Sequence, residues 1–213
     1  MNKLMSKTFF WMFLGLIVTF ITGYIVAINE NMLETVFGGP LFYILIILEL
    51  VLVIFFSARV HKMQPTTAKI CFLLYSFVSG LTFSSIFIAF ELSSIMFVFL
   101  IAALVFAIFG ALGYFTKIDL SKLGTILFMG LIAVIICMIV NMFLNNSSFD
   151  LIISIIALLV FFGYVAFDIQ KIKNYYEAGI DSENVAILGA FELYLDFINI
   201  FIHLLQLIGD AKD

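Results

Sequence analysis

Glu192, Asp196, Asn199 and His203 interrupt the otherwise apolar string "FELYLDFINIFIHLLQ" at intervals of four, three and four residues. At ~100° per residue that spacing places all four on one face of a helix. Carboxylates so arranged can take up protons and offer hard oxygen ligands to a cation. They are also costly. An ionisable group at the centre of a membrane helix costs on the order of 2.5–3.5 kcal/mol on insertion scales, so it faces a partner, a bundle interior or water. Three further charged residues adjoin apolar runs: Glu49 in "IILELVLV" at Ile46–Val53, Arg59 at the end of the same run, and Asp168 in "YVAFDIQKI".

The elements that must hold these groups are read from composition. Of 213 residues, 65% are hydrophobic and 11% charged, with 27 phenylalanines and 2 prolines. A soluble domain carries roughly 25% charged residues, so this balance indicates a lipid-embedded chain. Runs of about 20 apolar residues cross the hydrocarbon. Seven qualify: Thr8–Ile28, Leu41–Ala58, Ala68–Phe90, Ser93–Phe115, Leu123–Leu144, Asp150–Ile169 and Val185–Ile208. Open sheets cannot span lipid, and the alternation of a barrel is absent. The fold class is therefore an all-α membrane protein with seven transmembrane helices, read as a single domain over residues 1–213. The first run is too long for a signal-peptide core and ends without a small-residue cleavage site, so it reads as a span. Cys71 and Cys137, each isolated in an apolar run, read as buried free thiols acting as small hydrophobes.

Lys3, Lys7, Arg59, Lys62, Lys69, Lys117, Lys122, Lys171 and Lys173 fall on the side of the N-terminus, and only Lys212 falls opposite. The positive-inside rule then places the N-terminus in the cytoplasm and the C-terminus outside the plasma membrane. The other face carries Glu30, Glu34, Glu91, Asp150, Asp210 and Asp213, read as solvated loop charge in preference to a weak cation-attracting vestibule. No basic patch suggests nucleic acid. The seventh helix is apolar around most of its circumference and polar along one stripe, which marks it as central. By depth, Asp168 is shallow on the cytoplasmic side, and Asp196 and Glu49 lie near mid-membrane, so the three could line one cavity open to the cytoplasm. Simpler roles stand beside these: Arg59 as a snorkelling anchor, Asp168 as an interfacial residue solvated beside Lys171 and Lys173, and His203 as a hydrogen-bonded core histidine. A lone histidine makes a poor zinc site.

The string "LYLDFINIFIHLLQLI" at Leu193–Ile208 resembles the last-helix signature of the Bax inhibitor family of seven-helix membrane proteins. "FDIQKI" at Phe167–Ile172 looks like that family's motif at the end of its sixth helix, and "YSFVSGLTFSSIF" at Tyr75–Phe87 is similar to its third. The chain length, with no N-terminal extension, suggests a bacterial member. The resemblance implies a central seventh helix wrapped by the other six and a pH-sensitive calcium leak. It implies that Asp168 and Asp196 form the proton sensor and transient calcium site, that Arg59 latches them, and that Glu49 is the second acid of the latch. Glu192 and His203 depart from the family pattern and, with Asn199, stand as modulators. Two carboxylates brought close cannot both ionise cheaply, so such a pair shares a proton and titrates as a unit.

These expectations define a channel for calcium ions and protons in a lipid bilayer, with no cofactor and no catalytic activity. A second expectation is a regulatory partner of another membrane complex, such as a quality-control protease. An intramembrane aspartyl protease is disfavoured, because neither Asp168 nor Asp196 is preceded by the Gly-x-Gly of those enzymes.

Overall fold

The computed structural model describes residues 3–212; Asp213, assigned above to the outer face, lies outside the described residues. Among the described residues eight α-helices follow one another: α1 Lys3–Ala27, α2 Glu30–Phe37, α3 Leu41–Arg59, α4 Pro65–Ala89, α5 Leu92–Phe115, α6 Leu123–Leu144, α7 Ser147–Glu177 and α8 Glu183–Ile208. All but α2 are long and apolar enough to cross a membrane, and they match the seven spans read from the sequence. The protein is an all-α, multi-pass membrane protein.

Two departures from the sequence reading have local causes. The segment "NENMLETVF", read as a loop, forms α2 because Asn29 caps it, its side-chain oxygen accepting from the Met32 amide at 3.2 Å, and because Gly38 ends it. Val36 of α2 packs with Val26, Leu45 and Val78, a contact no search for spans would detect. The sixth span, expected to close at Ile169, continues to Glu177 as α7. Its last turns, "QKIKNYYE", are charged but helix-forming, and Lys173 pairs with Glu177 one turn on at 3.8 Å. Gly179, at φ +76, adopts the left-handed conformation just past the helix end.

By internal contacts the chain divides into two units. The first contains the residues up to Glu91, then Ala178–Tyr194 and the chain end from Ala211. Its main seam is α1 against α4. Gly15, Thr19 and Gly23 of α1 recur every four residues, as do Ser76, Gly80 and Ser84 of α4. Small residues at that spacing let helix backbones approach closely. A Cβ added at Gly80 would stand 2.6 Å from Thr22 Cβ and 2.8 Å from the Thr19 carbonyl oxygen. At one end of this unit, Lys7 pairs with Asp181 at 3.6 Å and Lys69 with Glu183. Asn184 Nδ2 donates there to the carbonyls of Val60 and Met63. The starts of α1, α4 and α8 therefore share an end, and Lys212, donating to the Phe87 carbonyl at 2.9 Å, lies at the other end of α4.

The second unit contains Leu92–Glu177 and Leu195–Asp210. Here α7 packs on α5 and α6. Gly113 lies against the Ala166 backbone, and Gly163 against Leu127. At the turn between α6 and α7, Asn145 takes φ 49, and Asn146 caps α7 by accepting from the Phe149 amide at 3.0 Å. The connection between α5 and α6 is clamped by Gln170, which accepts from the Leu120 amide at 2.7 Å and donates to the Ile118 carbonyl at 2.8 Å. In the same connection, hydrogen bonds from the Ser121 side chain and amide hold the Asp119 carboxyl below the usual carboxylate range. Helix α8 belongs to both units. Of its apolar stretch 72% is buried, against 11% for α3 and α6.

Candidate functional site

Asp168 stands on α7 in the second unit, 5% exposed, with Asp196 on α8 in the same unit, 4% exposed. Neither is a solvated interfacial residue. The extension of α7 to Glu177 explains this for Asp168, because two and a half further turns of helix follow it where the sequence reading ended the span. Of the two lysines that follow, only Lys171 turns toward the acid, its ammonium 3.8 Å from Asp168 Oδ1. Lys173 points elsewhere, to the Tyr114 carbonyl at 3.0 Å and to the Tyr114 ring. Tyr164, one turn before Asp168, is the side chain that lies within electrostatic reach of both aspartates, Asp168 and Asp196.

The rest of the α8 stripe is accounted for residue by residue. Asn199 donates to the Leu195 carbonyl of its own helix at 2.7 Å, a bond that needs no neighbouring helix. His203 is buried, stacked on Phe161, with Nδ1 3.1 Å from Gln206 Oε1. An amide oxygen can only accept, so Nδ1 carries the proton there. Ser154 of α7 donates to the same oxygen at 3.1 Å. His203 is a hydrogen-bonded core histidine, as its simpler reading had it. Glu192 is half-buried. Among the described residues no group of three or more His, Cys, Asp or Glu side chains could hold a resident metal. Cys71 and Cys137 are free thiols, but both are half-buried and not buried as expected.

Arg59 ends α3 in the first unit and is exposed, followed by a turn of 3₁₀ helix at Val60–Lys62. Glu49, ten residues earlier, is half-buried and accepts a hydrogen bond from the Thr82 hydroxyl of α4 at 2.5 Å. Because α3 is unbroken between them, Glu49 and Arg59 are separated by about 15 Å of helix rise. Tyr75 of α4 and Tyr194 of α8 lie within electrostatic reach of Glu49. Tyr194 is fully buried, 2.6 Å from Thr19 Oγ1, and Thr19 donates its own proton to the Ser76 carbonyl at 2.9 Å. Since that proton is committed, Tyr194 is the donor to Thr19. The sequence reading named Lys171 only as a neighbour of Asp168 at the interface, and it missed Tyr164, Thr82 and the pair Tyr75 and Tyr194. "YVAFD" and "LYLD" do place Tyr164 four residues and Tyr194 two residues before an aspartate, but the chain has 8 tyrosines, and nothing in the string separates these two.

Across residues 1–213 the chain matches the protein family described as inhibitor of apoptosis-promoting Bax1. It is similar to the inner membrane protein YbhL of Escherichia coli strain K12, 38% identical over 215 residues that cover 98% of this chain and 92% of YbhL. A protein of Borreliella burgdorferi is 35% identical over 217 residues, covering 100% and 94% of the two chains. A membrane protein of Streptococcus pyogenes serotype M1 is 33% identical over 214 residues, covering 98% and 93%.

Proposed function

The chain belongs to the Bax inhibitor family, and from that premise we propose that it is a pH-sensitive calcium leak channel of the cell membrane, with α8 as its central helix. The observation that carries the proposal is the burial of Asp168 and Asp196 on consecutive spans, with Tyr164 in electrostatic reach of both. In an apolar medium two neighbouring carboxylates share a proton and exchange it as a unit. Deprotonated, they offer oxygen ligands suited to a passing calcium ion; protonated, they do not. Calcium is cargo in this reading. The protein has no resident cofactor and catalyses no reaction.

Arg59 is the latch. Its guanidinium stays charged at any physiological pH, so it senses the pair's ionisation without titrating itself. Lys171 gives Asp168 a second cation, from its own helix. Glu49 serves the latch as second acid only if α3 shifts or unwinds toward its Val60–Lys62 turn, given the 15 Å or so of helix between the two. The nine-to-one distribution of lysine and arginine supports a cytoplasmic N-terminus and an external C-terminus. The test is calcium entry into proteoliposomes of the purified protein between about pH 6 and about pH 8. Flux that rises on acidification supports the reading. Absence of flux at every pH, with a stable partner on purification, would favour the regulatory subunit of a membrane complex instead.

A further inference from the structure

The Glu49 carboxyl sits in an arrangement that the latch does not use. Thr82 Oγ1 lies 2.5 Å from Glu49 Oε1 and 2.9 Å from the carbonyl oxygen of Ser79, three residues back on its own helix. A hydroxyl has one proton to give and can accept in return. Two acceptors therefore compete for the Thr82 proton, and either choice leaves the Thr82 hydroxyl bonded to both the Glu49 carboxyl and its own helix. With Glu49 ionised, Thr82 donates to the carboxylate, and the Ser79 carbonyl keeps the backbone bond of the helix. With Glu49 protonated, the carboxylic O–H donates to Thr82 Oγ1, and the Thr82 proton turns to the Ser79 carbonyl, the back-bonding that threonine commonly makes in helices.

The surroundings favour a proton over a side-chain cation as the neutralising partner. Glu49 forms no ion pair among the described residues. The titratable groups within electrostatic reach are Tyr75 of α4 and Tyr194 of α8, neither of which can supply positive charge. Glu30 and Glu34 of α2, which also packs on α3, are exposed acids, and His61 and Lys62 of the following turn are exposed. A charge held at mid-membrane without a counter-ion is costly, whereas the protonated acid is not.

The geometry points to Glu49, Thr82 and the Ser79 carbonyl as a proton-binding site of the first unit, additional to Asp168 and Asp196, in which one proton is bound or released by reversing a single hydroxyl. The site gives Glu49 a role that needs no movement of Arg59, and it stands whether or not the protein passes calcium. Infrared difference spectra of the purified protein in lipid, recorded without calcium across about pH 5 to about pH 9, test it directly. A protonated carboxyl absorbs as a carbonyl stretch that an ionised one lacks. Glu49→Gln is expected to remove one such band from the titration, Thr82→Val to move it to higher wavenumber through loss of the hydrogen bond, and Thr82→Ser to leave it in place. A Glu49→Gln titration identical to the wild type would show that Glu49 takes up no proton and would overturn the proposal. So would a band unmoved by Thr82→Val, because the hydroxyl would then not be its partner; the valine variant keeps the acid and the apolar bulk, so this arm does not depend on replacing Glu49.

Discussion

Replacing Gly80 by alanine adds one methyl group to the tightest part of the α1–α4 seam. Its Cβ would meet Thr22 Cβ at 2.6 Å, the Thr19 carbonyl oxygen at 2.8 Å and Thr22 Cγ2 at 3.0 Å. Ordinary contact begins near 3.5 Å. One of the three atoms is backbone, so a rotamer change cannot relieve the clash and the helices must separate by several tenths of an ångström or more. The same movement stretches the bond from Thr19 to the Ser76 carbonyl, now 2.9 Å, and disturbs the 2.6 Å contact of Thr19 with Tyr194. Overpacking of a close-fitted interior costs about 1–3 kcal/mol, and interhelical hydrogen bonds in membranes average about 0.6 kcal/mol each. Together these give a loss of roughly 2–4 kcal/mol, a shift of about 30-fold to 1,000-fold in the folding equilibrium. Gly39→Ala is the control: nothing lies within 4 Å of its Cβ position, so its effect stays within about 0.5 kcal/mol. Unfolding of both variants in mixed detergent micelles, followed by circular dichroism, provides the comparison. If Gly80→Ala matched Gly39→Ala, the helices would not approach as closely as described, and the seam argument would fail.

Asp196→Asn should flatten the pH response of calcium flux: a one-proton switch changes its occupancy tenfold per pH unit, so a response of up to roughly a hundredfold over two units collapses to about twofold or less, while Glu192→Ala moves the midpoint and keeps the slope. A full wild-type response in Asp196→Asn proteoliposomes would remove the aspartates from the sensor. Arg59→Ala should leak at neutral pH and lose acid activation, yet keep stability within about 0.5 kcal/mol because the side chain is exposed; a variant that stays closed at neutral pH and opens on acidification returns Arg59 to an anchoring role. For orientation, cysteines at exposed Ser148 and Ala178, placed singly in a background lacking Cys71 and Cys137, should react with an impermeant reagent from opposite sides, Ser148 from outside intact cells. Reaction of both from one side would refute the proposed threading.

Apolar length made the seven spans legible, because each of α1 and α3–α8 carries a run that water would not tolerate. Helix α2 was not legible for the same reason inverted: at eight residues it is too short to span, and only the Asn29 cap and the packing of Val36 explain it. Asp168 and Asp196 were conspicuous because a charge stands out in an apolar string, but what surrounds them was not. Lys171 and Lys173 look equivalent in sequence, and only the helical phase of α7 past Ile169 sends one to Asp168 and the other to Tyr114.

Helix α4 shows why the first unit's polar interior was the hardest part to read. Its string "YSFVSGLTFSS" is rich in small and hydroxyl residues, a pattern that fits a close helix contact and a polar site equally well. In the structure it serves both. Ser76, Gly80 and Ser84, four residues apart, form the seam with α1. Tyr75, Ser79 and Thr82, spaced by four and three, occupy the neighbouring face of the same helix, some 100° away, where Thr82 meets Glu49. In lipid the usual amphipathic pattern gives no guidance, because apolar side chains suit both the core and the outside. What distinguishes an interior face there is the presence of groups that lipid cannot solvate. A hydroxyl-rich span such as α4 therefore marks where a bundle keeps its polar contacts, and the interval between those hydroxyls separates the residues that bring two helices together from those that can hold a proton between them.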